Sequence, residues 1–245
     1  MLNEQTMNKL HVMKLTGMAE AYREQQEQPQ AAELSFDERF GLLVDRQWTW
    51  REDRALKTRL CNAKLKLQAC VEDLDYCASR GLKRSQMEQL SDSDWIRFHQ
   101  NCIVTGPTGT GKTFLACALG QKACRDGYRV RYYVAGKLFR DLTAAQGDGS
   151  FLRLSTKLLK ADLLVVDDWG METLQERQYR DFLEILDDRQ GTGSTLVTSQ
   201  FPTKLWHDTI GNPTLADAIL DRLIHNAHSI QLKGESLRKR TARKP

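Results

Sequence analysis

The chain has 245 residues, 40% of them hydrophobic and 28% charged, with a net charge of +4. That length buries a full core and predicts one large domain with a smaller appendage. No apolar run approaches the roughly 20 residues that cross a bilayer, and Met1-Leu2-Asn3-Glu4-Gln5 lacks the profile of an export signal, so a cytoplasmic protein with no membrane partner is expected.

Residues 1 to about 70 pattern as helix, broken near Pro29 by a Gln/Glu-rich stretch. Ser35-Phe36-Asp37-Glu38 reads as a capping box, which predicts a helix starting at Ser35. Leu56, Leu60, Ala63 and Leu67 fall on one helical stripe, while Arg51, Arg54, Lys57 and Lys64 lie off it. One face is thus expected to pack and another to be positive, either as a solvated surface or as a phosphate-binding footprint. Residues 71–100 form a transition, expected to be helical.

From Asn101 the pattern changes to apolar strands at 102–105, 129–134, 163–167, 195–199 and about 229–232, separated by helical patterns at 113–125, 136–145, 174–189 and 215–225. That alternation predicts an α/β fold with a five-stranded parallel sheet covered on both faces and ligands at the carboxyl ends of the strands. The expected division is a helical domain at 1–70, the α/β domain at 71–232, and a basic tail at 233–245. The tail carries Lys233, Arg238, Lys239, Arg240, Arg243 and Lys244 against one acid, Glu235. The six cysteines never fall as Cys-x-x-Cys, so reduced core thiols are expected, and His225 and His228 have no partner for a metal.

Chemistry enters with Gly106-Pro107-Thr108-Gly109-Thr110-Gly111-Lys112-Thr113, directly after the first apolar strand. Glycines let the backbone wrap so that successive N–H groups surround an anion, and the following helix adds the positive end of its dipole. Lys112 supplies a mobile charge for the β- and γ-phosphates, and the Thr113 hydroxyl is placed for Mg²⁺. A nucleoside triphosphate site is expected. Leu163-Leu164-Val165-Val166-Asp167-Asp168 supplies its second half. Asp167 is expected to reach Mg²⁺ directly or through water, and Asp168 to orient and deprotonate the attacking water. Thr198-Ser199-Gln200 ends the next strand, where a polar group contacts the γ-phosphate or the water, or else starts an ordinary turn before Pro202. Arg222 is either an exposed partner of Asp221 or an arginine finger for a neighbouring subunit's nucleotide. No Asn-Lys-x-Asp guanine signature follows, and no acceptor pocket of a small-molecule kinase is visible.

The chain resembles the IstB-type transposition helper ATPases, relatives of the DnaC/DnaI helicase loaders and DnaA in the initiator clade of AAA+ proteins. The residues carrying the likeness are 106–113, Leu163-Leu-Val-Val-Asp-Asp-Trp-Gly170, the helix at 177–189, Thr195-Leu-Val-Thr-Ser-Gln-Phe-Pro202, Gly234-Glu-Ser-Leu-Arg238, and a leader containing Leu34-Ser-Phe-Asp-Glu-Arg39 and Ala63-Lys-Leu65. The resemblance implies an ATPase with ATP and Mg²⁺ at subunit interfaces of a homo-oligomer on duplex DNA, working with a partner transposase in target selection and insertion. It places Gln200 at the sensor I position and Arg222 at the finger position, and makes Arg238 a candidate substitute for sensor II. It implies no full helical lid after the last strand. It also implies an extra helical element between the second and third strands, which 136–160 fits around Gly147-Asp148-Gly149-Ser150. Its Lys137, Arg140, Arg153, Lys157 and Lys160 then join Arg51, Arg54 and Lys57 as candidate phosphate contacts, with little sequence preference. The alternative within the same fold is a loader acting on single-stranded DNA and a replicative helicase.

Overall fold

The apolar runs form five parallel strands: β1 (Asn101–Thr105), β2 (Val130–Val134), β3 (Leu163–Trp169), β4 (Ser194–Ser199) and β5 (Ala227–Gln231). Their order in the sheet is β2-β3-β4-β1-β5. A computed structural model of the chain describes residues 2–76 and 81–236. Cys77 and the basic residues at 238–244 lie outside the described residues.

Eleven α-helices are present among the described residues: α1 (Leu2–Val12), α2 (Thr16–Glu27), α3 (Phe36–Ala63), α4 (Arg84–Ser91), α5 (Asp94–Arg97), α6 (Lys112–Arg125), α7 (Ala135–Asp148), α8 (Phe151–Leu159), α9 (Glu176–Arg189), α10 (Trp206–Ile210) and α11 (Pro213–Ile224). The chain divides into two compact units, Met1–Thr58 and Arg59–Pro245.

Within the first unit, α2 crosses α3 closely because residue 17 has no side chain. A Cβ there would sit 2.7 Å from Trp50 Cβ and 2.9 Å from the Arg46 carbonyl oxygen. The expected capping box forms: Ser35 Oγ accepts from the Glu38 N–H at 3.3 Å, and the Ser35 N–H donates to Glu38 Oε2 at 2.8 Å. That bonding lowers the Glu38 pKa, the Ser35 side-chain bond contributing most. The helix it starts ends at Ala63, where Lys64 turns left-handed with φ 54°. Leu67 therefore leaves the stripe that the 4-3-4 spacing predicted.

In the second unit, α6 packs on β1, β2, β3 and β4. The other face is closed by α7, α9 and α11 around an aromatic cluster of Phe139, Trp169, Tyr179, Phe182 and Trp206, with ring centroids 5.2 to 6.5 Å apart. Edge-to-face and offset pairs of this kind add about 0.5–1.5 kcal/mol each beyond burial. Arg189, 2% exposed, pins the base of this layer. Its guanidinium donates to the carbonyls of Leu158, Ala161 and Ser194 at 2.7, 2.7 and 2.5 Å. The extra element between β2 and β3 is the pair α7 and α8, joined through Gly149 at φ 75°. No helical lid follows β5 among the described residues.

Candidate nucleotide-binding site

Thr105 ends β1 at the carboxyl edge of the sheet, and residues 106–111 turn there into the start of α6. Gly106, Gly109 and Gly111 carry φ values of +150°, +83° and +93°, a backbone that side chains disfavour. Two of these positions are also crowded. A Cβ at Gly106 would run into the Leu232 carbonyl, and one at Gly109 into Ser236. The chain beyond β5 therefore lies against the phosphate loop. Lys112 is 5% exposed, and its ammonium donates to the carbonyls of Gly106 and Pro107 at 2.9 and 3.0 Å, which keeps the charge inside the loop.

The second half of the site meets the first. Thr113 Oγ1 donates to Asp167 at 2.9 Å from Oδ2 and 3.2 Å from Oδ1. Asp167 is fully buried, and its carboxylate also accepts from Tyr132 OH at 2.5 Å and from Thr198 Oγ1. Burial and the Asp167 hydrogen bond push the Tyr132 phenol far up, so it serves as a proton donor throughout the physiological range. Asp168 sits at φ 62°, and its N–H donates to Thr198 Oγ1 at 3.0 Å. Gln200 lies across the cleft mouth, joined to the phosphate loop by Thr108 Oγ1 at 2.6 Å from its Oε1.

Together these residues line a cleft of about 330 Å³ that includes Thr108, Gly109, Gly111, Lys112, Thr113, Asp168 and Gln200. Its far wall is Lys66, Leu67 and Phe114, which sequence reasoning missed. Burial raises the Cys117 pKa, against the lowering effect of the nearby Leu67 and Lys66 backbone. Leu65 approaches Gly120 closely as the same segment crosses α6. Leu67, taken from sequence as core, instead faces this cleft.

The donors suit a magnesium nucleotide. A main-chain nest and a buried ammonium match phosphate oxygens, while the Thr113 hydroxyl and Asp167 carboxylate are hard oxygen ligands. No group of three or more His, Cys, Asp or Glu side chains fit for a metal occurs among the described residues, so a magnesium ion here would draw ligands from phosphate as well.

Arg222 is not brought to this cleft. Its carbonyl accepts from the side chain of Asn101, the first residue of β1, at 2.7 Å, which places it at the opposite edge of the sheet. Its guanidinium pairs with Asp187 of α9, not with Asp221, and also donates to the Ala218 carbonyl at 2.9 Å. His228 sits on β5, with its Nε2 2.8 Å from Gln100 Oε1. Arg51, Arg54 and Lys57 are exposed on α3, with Arg54 over the Trp50 ring at 5.1 Å. Lys137 and Arg140 on α7, Arg153 and Lys157 on α8, and Lys160 just after it are exposed too, and Arg140 is paired with Glu172 at 3.3 Å. No helix among the described residues is long and apolar enough to cross a membrane.

A parallel sheet in this order, with a phosphate loop after β1 and a buried aspartate on β3, one strand away across β4, is the P-loop fold of the AAA+ type. Its family is equally clear: the chain belongs to the IstB-like ATP binding proteins, whose family model matches residues 8–245. It is 52% identical over 244 residues to an insertion sequence ATP-binding protein of Sinorhizobium fredii, covering 100% of each chain. It is 31% identical over 218 residues to the insertion sequence IS21 ATP-binding protein of Pseudomonas aeruginosa, covering 89% of this chain and 82% of that one. Among solved structures it resembles the DnaC helicase loader (TM-score 0.55, 18% identity, 67% of this chain and 97% of that one). It also resembles AMPPCP-bound DnaA from Aquifex aeolicus (TM-score 0.58, 19% identity, 73% of this chain and 54% of that one). At such identities the last two comparisons speak to the fold alone.

Proposed function

We propose that this protein is a magnesium-dependent ATPase that assembles on duplex DNA and assists a partner transposase in choosing and using an insertion target. The observation that carries the reading is the junction of Thr113 with Asp167, which joins the phosphate loop to a buried carboxylate in one cleft. The names of the relatives, ATP-binding proteins of insertion sequences, support a role in moving such an element, for which a transposase is the partner proposed.

In the proposed reaction, the loop N–H groups and Lys112 hold the β- and γ-phosphates, and Thr113 with Asp167 holds magnesium. The ion, when bound, neutralises charge on the phosphate oxygens. Water attacks the γ-phosphorus while its proton passes to the Asp168 carboxylate. The bond from the γ-phosphorus to the bridging oxygen breaks, ADP leaves with that electron pair, and inorganic phosphate follows. Gln200, at the cleft mouth, orients the water. Arg222 acts from a neighbouring subunit, since its place at the opposite sheet edge suits a residue serving the next nucleotide in an oligomer. The exposed cations of α3, and those of α7 and α8, contact DNA phosphates without reading bases.

Sedimentation of the protein with duplex DNA, with and without ATP, tests this. Assembly that requires ATP and is lost in Lys112→Ala supports the reading; equal assembly by the variant refutes it. A helicase-loader role has no support beyond the shared fold.

A further inference from the structure

Asp167 and Asp168 are consecutive on a strand, so a regular pleat would send their side chains to opposite faces of the sheet. The pairing of β3 with β4 shows why it does not. Val166 lies opposite Val197 and Trp169 opposite Ser199, which leaves two residues, Asp167 and Asp168, facing one, Thr198. This is a β-bulge, with one residue more on β3 than on β4, and the two residues that form it are the acids. Bulges bend the strand and re-aim a side chain, and here Asp168 takes a left-handed backbone at φ 62° and lines the same cleft as Lys112 and Thr113.

A bulge breaks the ladder, so its stranded polar groups need other partners. The β4 hydroxyls supply them. Thr198 Oγ1 accepts from the Asp168 N–H at 3.0 Å and spends its own proton on the Asp167 carboxylate. Ser199 Oγ donates to the Trp169 carbonyl at 2.8 Å and accepts from the Phe201 N–H at 3.1 Å. Thr198 is fully buried, and one hydroxyl can donate only once, so both of these roles are committed.

We infer that Thr198 is a positioning residue for hydrolysis: its hydroxyl holds the β3 bulge that brings the metal-binding and the water-activating aspartates to one site. Tyr132 shares the first task by anchoring the other Asp167 oxygen at 2.5 Å. Thr198 bonds to both acids. The inference rests on the ATPase reading above and deepens it.

The test compares Thr198→Val, which keeps shape and removes both bonds, with Thr198→Ser, which keeps the hydroxyl. Nucleotide affinity is read by titration calorimetry and turnover by phosphate release. Thr198→Val should lose about 10- to 100-fold in kcat, with the Kd for ATP within about threefold of wild type, and Thr198→Ser should restore most of the loss. In an Asp168→Asn background, which tolerates the left-handed backbone, Thr198→Val should change the remaining kcat by no more than about twofold, since the two act as a unit. Should Thr198→Val fail to fold, Thr198→Ala replaces it with the same expectations. Wild-type kcat in the valine or alanine variant, or losses that multiply with Asp168→Asn, overturns the inference while leaving the ATPase reading intact. Unchanged ATP binding in Lys112→Ala would instead overturn that reading.

Discussion

Thr113→Val removes one hydroxyl from the cleft while preserving side-chain shape. In the native site that hydroxyl lies 2.9 and 3.2 Å from the two oxygens of a carboxylate with no exposed surface. A hydrogen bond to a charged acceptor contributes about 1.5–3 kcal/mol net. Tyr132 and Thr198 still reach Asp167 in the variant, so the loss belongs near the lower end, about 1.5 kcal/mol. For a chain of this size that corresponds to a fall in Tm of about 3–6 °C. The second effect is functional. Magnesium should tighten ATP binding by the wild type, and the variant should lose most of that increment while its affinity in EDTA stays within about twofold. Differential scanning fluorimetry measures the first effect and calorimetry with and without magnesium the second. An unshifted Tm together with the full magnesium increment would refute the reasoning.

Arg222→Ala should abolish most turnover in the assembled protein while changing stability by under about 1 kcal/mol, because the Asp187 pair is partly exposed, with side chains 26% and 44% accessible. ATPase assays set beside urea melts separate the two effects. Arg189→Met should instead destabilise by more than about 3 kcal/mol, since it leaves the three buried carbonyls of Leu158, Ala161 and Ser194 without their donor; a urea midpoint close to wild type would contradict this. Burial pushes the thiols of Cys102 and Cys124 up from 9.0 to about 12 and about 11. Unfolded thiols therefore ionise first as pH rises, the unfolded state binds fewer protons, and these groups lower stability progressively above about pH 9. Cys102→Ala should flatten the alkaline part of a stability–pH curve relative to its own value at pH 7.

The parts of the site written in contiguous sequence were legible, and those made by long-range pairing were not. Gly106 to Thr113 and Asp167-Asp168 each encode a local backbone task, and the five strands announced themselves as apolar runs between helical patterns. The left-handed Lys64 has no glycine or proline to mark it, so the 4-3-4 spacing carried the helix too far and Leu67 was taken for core. Tyr132 reads as any aromatic strand residue until β2 is known to lie beside β3. Asp221 is the sequence neighbour of Arg222, yet the partner comes from α9, because contacts between helices outrank adjacency in the chain. The bulge is invisible for a related reason: two acids in a row show no register until β4 sets one.

Whether Lys112 holds a triphosphate can be measured by titrating MgATP into the wild type and Lys112→Ala under matched salt. A buried ammonium held inside the phosphate loop predicts binding by the wild type and a loss of at least about 10- to 100-fold in the variant. Equal affinities, or no binding by the wild type, would contradict the assignment of this cleft to ATP.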